Sequence, residues 1–495
     1  MNVYEPLRHP AAFCMFLITL FFPVLIGFLT LRRTKDQSDF FLGGRTMNRF
    51  VVALSAVSSG RSSWLVLGVS GMAYTMGVSA VWAVTGYIVV EMLQFVYIGR
   101  KLRRASDSPE IITLLDYFEA RFPGSRNRIR LTGAFIITIF ITAYVAAQLN
   151  AGAKSLSAAM SIPFGFSLAA AALLILVYMI MGGYIAVAYN DVIRSVIMIT
   201  GLVVFPCIGL AAIGGVDALL MVLSQLNPAL IDPFSLGAGA IIGFLGIGLG
   251  SPGQPHIIVR YMSAASADHL RFSAVIGTVW NVLMAWGALF IGLIGRALIP
   301  DIGNLPGADS EMIYLVLSPR FFGPVFFGLL TGGIFAAILS TADSQLLVVS
   351  STFVRDIFEK ILNPGRTMDT KSQLRISRLV VLISGVASLL LALAADDLIF
   401  WLVLFAWGGL GASFGPSLIG ALYWKRTSAA GIVASMITGT SMIIIWKLFL
   451  KASTGIYELI PAFSGASAVL VVVSLIMNRR AAPSGPSASS ARSAD

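Results

Sequence analysis

Hydroxyl and carboxyl groups are sparse in the apolar stretches of this chain, and where they occur they are grouped. The run GGIFAAILSTADSQLLVVSS carries Ser340, Thr341, Ser344 and Ser350 beside the small residues Ala336 and Ala337. Upstream, FVVALSAVSSGRSSWLVLGVSG sets Ser58, Ser59 and Gly60 in the middle of another apolar run. Hydroxyls facing carbonyls freed by a broken helix make an all-oxygen site for a small hard cation, and sodium suits that donor set. The competing role for any one hydroxyl is a bond to its own helix backbone or to a neighbouring helix. The adjacent Ser340–Thr341 pair, taken with the interrupted upstream run, favours the cation site.

Charges inside such runs are costly and are functional candidates by default. They are few: Arg61 in the interruption, then Glu91, Asp191 and Asp343. An unpaired arginine at mid-membrane costs on the order of several kcal/mol, so Arg61 needs a carboxylate partner or a wet cavity. Asp191 reads either as an interfacial cap at the start of its helix or as a coupling residue. Glu91 reads as a polar contact inside the bundle, and His256, after a Gly-Gln-Pro turn, as a helix-end residue. The three histidines, His9, His256 and His269, are scattered, and Cys14 and Cys207 are the two cysteines. No metal cluster, disulfide framework, nucleophile triad or cofactor motif emerges, so neither an enzyme nor a cofactor is expected.

The elements that position these groups are membrane helices. The 495-residue chain is 57% hydrophobic and only 12% charged, about half the charge of a soluble domain. Hydropathy gives about thirteen spans, centred near Phe21, Ser62, Tyr87, Phe140, Leu173, Gly201, Leu245, Leu283, Phe335, Ser384, Gly411, Thr438 and Leu470. The first run is too long for a signal-peptide core and reads as a retained span. Basic residues fall in alternate connections: Arg32, Arg33, Lys35, Arg45 and Arg49 after the first span; Arg100 to Arg130 after the third; Arg260 and Arg271 after the seventh; Arg355 to Arg378, including Arg366, after the ninth; Lys425 and Arg426 after the eleventh. Asp217, Asp232, Asp301, Asp309, Glu311, Asp396 and Asp397 occupy the others, while Lys447 and Lys451 run mildly against the pattern. This places the N-terminus outside and the C-terminus in the cytoplasm. It also accounts for the net charge of +11 without a nucleic-acid partner. The residues divide into a transmembrane domain over 1–478 and a Ser/Ala/Pro-rich tail over 479–495, expected to be disordered.

Two spans are interrupted. The second breaks at Ser58-Ser59-Gly60, and the seventh, IIGFLGIGLGSPGQPHIIV, has glycines and prolines through its centre. Such backbone is tolerated at membrane depth only against protein or a water-filled cavity. Breaks five spans apart match the first helices of two inverted five-helix halves, here about 50–213 and 235–425 within a core of about 50–425.

The stretches DFFLGGRTMNRFVVALSA, GQPHIIVRYMSA, AAILSTADSQLL, FAWGGLGASFGPSLIGALYWKR and IYELIPAF resemble the sodium:solute symporter family, nearest its bacterial sodium/proline branch. The resemblance runs from about Asp39 to Val472. It implies an all-α LeuT-type fold with one leading and two trailing helices around a five-plus-five core, in the bacterial inner membrane. It also implies a sodium site built from backbone oxygens of Ser58 and Arg61 with Ala337, Ser340 and Thr341 opposite. Asp191 is similar to the family's aspartate of coupling and gating, and Arg45 to the arginine before the second span. Ser62 and Tyr144 match pocket positions; Trp64, Ile247, Ser251 and Gln254 complete the expected solute site.

The chain departs from that branch in the breaks. Gly60 stands where the proline symporters carry aspartate, and Arg61 where they carry an apolar residue. Ile247 and Ser251 replace pocket aromatics, and Pro252 another. Arg61 could pair with Asp343 beside the ion site and act as a fixed cation, making transport sodium-independent or proton-coupled. It could instead face the solute cavity and bind an anionic group, or enter an aqueous vestibule. The expected function is sodium-coupled symport of proline or a related amino or organic acid. Exchange through Arg61 and a transporter-like sensor are the rivals.

Overall fold

The computed structural model describes residues 9–30, 37–179, 183–365, 368–394 and 399–481. Arg32, Arg33, Lys35, Arg366, Asp396, Asp397 and the tail after Ala481 lie outside the described residues. Within them the chain is helical, with one isolated bridge between Met47 and Ala264. Among the described residues nine helices are long and apolar enough to cross a bilayer alone. The first span, Pro10–Thr30, and the fifth, Phe164–Met179, join these. The second and seventh are built in pieces.

The second span runs as Arg49–Gly60, pauses at Arg61 and Ser62, and resumes through Ser63 as Trp64–Val69 and Ser70–Met76. The Asn48 side chain caps its start by accepting from the amides of Phe50 and Val51. The seventh comprises Ala238–Leu245, the tight turns of Gly246–Gly253, and Pro255–Met262. Pro252 and the repeated glycines explain the failure of the α-helix there. The glycines also allow close approach: a Cβ on Gly250 would stand 2.0 Å from the Trp407 Nε1 of the eleventh span.

Around these two broken spans stand the third (from Val81–Leu93 on to Arg100–Ala105), fourth (Arg128–Met160), sixth (Tyr184–Ile213) and eighth (His269–Leu298). The ninth (Pro324–Ser351, continuing as Thr352–Leu362) and eleventh (Ile399–Tyr423) complete the ring. The tenth (Thr370–Leu393), twelfth (Ala429–Ile445) and thirteenth (Leu459–Ala481) lie further out. The ninth and eleventh have 83% of their apolar windows buried, against 28% for the thirteenth. The centre of the bundle is therefore where the hydroxyl-bearing ninth span meets the breaks. Cys14 and Cys207 are free and exposed on the first and sixth spans.

Candidate ion and solute site

The break in the second span brings its last helical turn against the ninth. Ser58 Oγ lies 2.8 Å from Ser340 Oγ, and Ser59 Oγ 3.1 Å from Ser344 Oγ. Thr341 Oγ1 donates to the Ser59 carbonyl at 3.2 Å. Ser58, Ser340 and Thr341, expected to share an ion, thus meet across two helices. The Arg61 backbone follows in the break, its amide bonding the Ser58 carbonyl at 3.1 Å. Ala337 is buried on the same helix as Ser340 and Thr341. Every donor in this set is an uncharged oxygen, the chemistry that suits sodium. Among the described residues no cluster of His, Cys, Asp and Glu is placed to hold a metal.

Asp191 lies beside these hydroxyls. It is fully buried within the sixth span, whose N-cap is Gly183, so the interfacial-cap reading is corrected. Its carboxylate accepts from Ser340 at 2.6 Å, Ser55 at 2.6 Å, Ser59 at 3.1 Å and the Arg260 guanidinium at 3.2 Å. Arg260 also bonds Ser344 and the His256 carbonyl. Counted in the sequence among cytoplasmic loop charges, Arg260 is instead wholly buried on the seventh span's last helix. Asp343 pairs with Arg194 at 2.6 Å. Arg194 falls three residues after Asp191, one helical turn along the sixth span, and that spacing was the signal that could have found it.

Of the three arrangements open to Arg61, the contact with Asp343 does not form. Arg61 turns to the third span, where Nη2 lies 3.1 Å from Glu91 Oε2 and Cζ sits 3.5 Å from the centre of the Tyr87 ring. Asn281 of the eighth span donates to the same Glu91 oxygen. The fixed-cation arrangement loses its geometry, because Asp343 is already engaged from the sixth span. Gly60 is part of this corner: a Cβ there would meet the Tyr87 hydroxyl at 2.4 Å.

Next to the break is a small pocket lined by Gly60, Trp64, Tyr87, Tyr144, Ile247, Val403, Leu404 and Trp407. Trp64, Tyr144 and Ile247 of the expected solute residues line it. Ser62, Ser251 and Gln254 brace its walls instead. Ser62 accepts from the Trp64 amide at 3.2 Å. Ser251 and Gln94 bond each other. Gln254 donates to the carbonyls of Gly250 at 3.0 Å and Trp407 at 2.9 Å. The aromatics missing from the seventh span are supplied by Tyr87 and Trp407, whose rings are 5.2 Å apart. Nothing local in the sequence marks either one; only the packing of the third and eleventh spans on the breaks brings them in.

Each end of the bundle is tied. At the end expected to face the cytoplasm, Arg45 donates to the carbonyls of Asp107, Ser108 and Ile111 at 2.7–2.9 Å. Arg130 pairs with Asp116 at 3.0 Å, and Arg355 with Asp116 at 3.3 Å and Glu359 at 3.2 Å. At the opposite end Lys154 reaches Asp309 at 2.8 Å and Glu311 at 3.1 Å. Glu311 also accepts from the amides of Ile399 and Phe400, at 3.0 and 2.8 Å, which open the eleventh span. Phe400 stacks on Trp64 of the pocket, centroids 5.8 Å apart.

Paired broken helices around a small central pocket, with hydroxyls from a third helix at the break, define a secondary transporter of the LeuT type. The sequence profile of the sodium:solute symporter family matches residues 40–439, and the chain belongs to that family. It is 34% identical to the osmoregulated proline transporter OpuE of Bacillus subtilis, over 92% of this chain and 93% of that one. It is 33% identical to a sodium/proline symporter of Escherichia coli, over 93% and 92%. A solved Na+-coupled sialic acid symporter in a substrate-bound outward-open state superposes with a TM-score of 0.79 at 18% identity, covering 94% of this chain and 97% of that one. A nucleobase-cation-symport-1 family transporter superposes at 0.55 and 12% identity, over 90% and 95%. Both carry the same fold.

Proposed function

We propose that the protein is a sodium-driven symporter of proline or a closely related small amino acid, working by alternating access in the bacterial inner membrane. The N-terminus lies outside and the C-terminus inside. The meeting of Ser58, Ser340 and Thr341 at the second-span break, beside a small aromatic pocket, carries this reading. Sodium bridges the second and ninth spans there. Because the same break lines the pocket, the ion that orders it raises solute affinity, and linkage requires the solute to raise sodium affinity equally. The proline transport named for relatives that align over nine-tenths of both chains supports the same solute class.

The test is uptake of labelled proline into proteoliposomes with and without an inward sodium gradient. Thr341→Ala removes one hydroxyl and should raise the half-activating sodium concentration about tenfold, the worth of one hydrogen-bond-scale ligand. Proline affinity at saturating sodium should stay within about twofold. Uptake that ignores sodium in the wild type, or a Thr341→Ala change that falls equally on both constants, would count against the site.

A further inference from the structure

We propose that Arg61 and Glu91 are the charge-selecting pair of the solute pocket, Arg61 taking a carboxylate and Glu91 an ammonium, so that the pocket admits zwitterions. The inference rests on the amino-acid reading above and assigns the two residues that would enforce it.

Both side chains are buried, Arg61 at 1% exposure and Glu91 at 0%. Their mutual contact uses one atom of each. Arg61 Nε and Nη1 and Glu91 Oε1 are buried without a hydrogen-bond partner. Unpaired polar atoms at this depth are costly, and three of them meet at one corner beside the pocket. Here the free atoms are guanidinium donors of Arg61 and one carboxylate acceptor of Glu91, opposite in charge to an amino acid's carboxylate and ammonium.

Gly60 connects the pair to the pocket. It is a lining residue, and Glu91 Oε1 lies 3.7 Å from the point where its Cβ would stand. The space a side chain would take there is filled by the Tyr87 hydroxyl, 2.4 Å from the Cβ position, which contacts the Gly60 carbonyl at 3.5 Å. Its ring lies between the Arg61 guanidinium and the aromatic wall of Trp64 and Trp407. Turning the phenol aside exposes the pair to a solute whose apolar body rests on that wall. A solute with one charge would leave either Arg61 or Glu91 uncompensated in the dry interior, and that repulsive element supplies the selection.

The experiment is competition against labelled proline uptake in sodium-loaded proteoliposomes. The competitors are proline, prolinamide, which lacks the anion, and tetrahydrofuran-2-carboxylate, which lacks the cation. Wild type should reject each analogue by at least about 100-fold relative to proline, as sites with buried polar partners do. Glu91→Gln should shrink rejection of the acid about tenfold or more while still rejecting the amide. Arg61→Gln should do the reverse, and Arg61→Lys should restore rejection of the amide. The crossed pattern is one that a merely structural pair would not produce. Wild type accepting either analogue within about tenfold of proline overturns the proposal. So do variants that weaken all three competitors alike. Because the wild-type panel needs no substitution, poor folding of a variant leaves the proposal exposed. Uptake of neither proline nor another amino acid would sink the symport reading itself; proline uptake with no crossed pattern would sink only this inference.

Discussion

Two buried ion-pair centres flank the break in the second span, and they differ in saturation. On the side of the sixth and ninth spans, Asp191 receives four donors from the second, seventh and ninth spans and shares Arg260 with Ser344. On the side of the third and eighth, Arg61 and Glu91 touch through one atom each and keep three polar atoms free. The Asp191 centre resembles a joint: it cross-links four helices whose relative positions must change together. The Arg61 centre resembles a receptor, with groups oriented and not yet used. Dense hydrogen bonding fixes helices, and under-satisfied groups next to a pocket select what enters it.

The sharpest way to break this comparison is Asp191→Asn. Removing the carboxylate charge leaves Arg260 buried without its anion, which should destabilise the protein by about 3–5 kcal/mol and lower sodium-driven uptake at least 100-fold. Adding Arg260→Met should recover most of the melting temperature but not the transport. Wild-type stability in the single variant would show that the joint carries no weight.

A smaller effect is expected at Gly60, between pocket and pair. Gly60→Ala places a methyl group 2.4 Å from the Tyr87 hydroxyl and should cost about 1–3 kcal/mol through overpacking, with weaker solute binding. Tyr87→Phe in the same chain removes the clashing oxygen and should restore the melting temperature while affinity stays low. Recovery of both together would mean that Gly60 serves packing alone.

The smallest effect concerns the outer tie. Burial pushes the Glu311 carboxyl up, against the opposing pull of Lys154 and the Phe400 and Ile399 amides. A carboxyl raised in the folded protein contributes stability below its unfolded pKa, and that contribution is lost as pH rises through the folded value. The wild type should therefore lose about 1–3 °C of melting temperature relative to Glu311→Gln as pH rises from about 4 to about 7. A difference that is flat with pH would place Glu311 in an ordinary carboxylate environment.

Much of this was legible in the sequence, and the residues show why. Spans, breaks and the hydroxyls of the ninth span follow from local chemistry: apolar length, Gly and Pro at mid-run, and Ser340–Thr341 side by side. Asp191 and Asp343 announced themselves because a carboxylate in an apolar run is conspicuous. Arg260 did not, because a basic residue near a span end looks the same in sequence whether it faces the cytoplasm or turns inward. Arg61 was visible but its partner was not, since Glu91, Asp191 and Asp343 were all carboxylates within the same bundle. Tyr87 and Trp407 carried no signal, being aromatic residues among many.

The sequence by itself determined that this is a membrane transporter with two broken helices and an oxygen-rich site beside them. Composition, span length and backbone-breaking residues act locally, and their consequences can be read one segment at a time. Only the tertiary structure decided which charge meets which. It gave Asp343 to Arg194, Asp191 to Arg260 and Arg61 to Glu91, because pairing depends on which helix faces bring two side chains within about 3 Å, and the order of residues along the chain does not encode that distance.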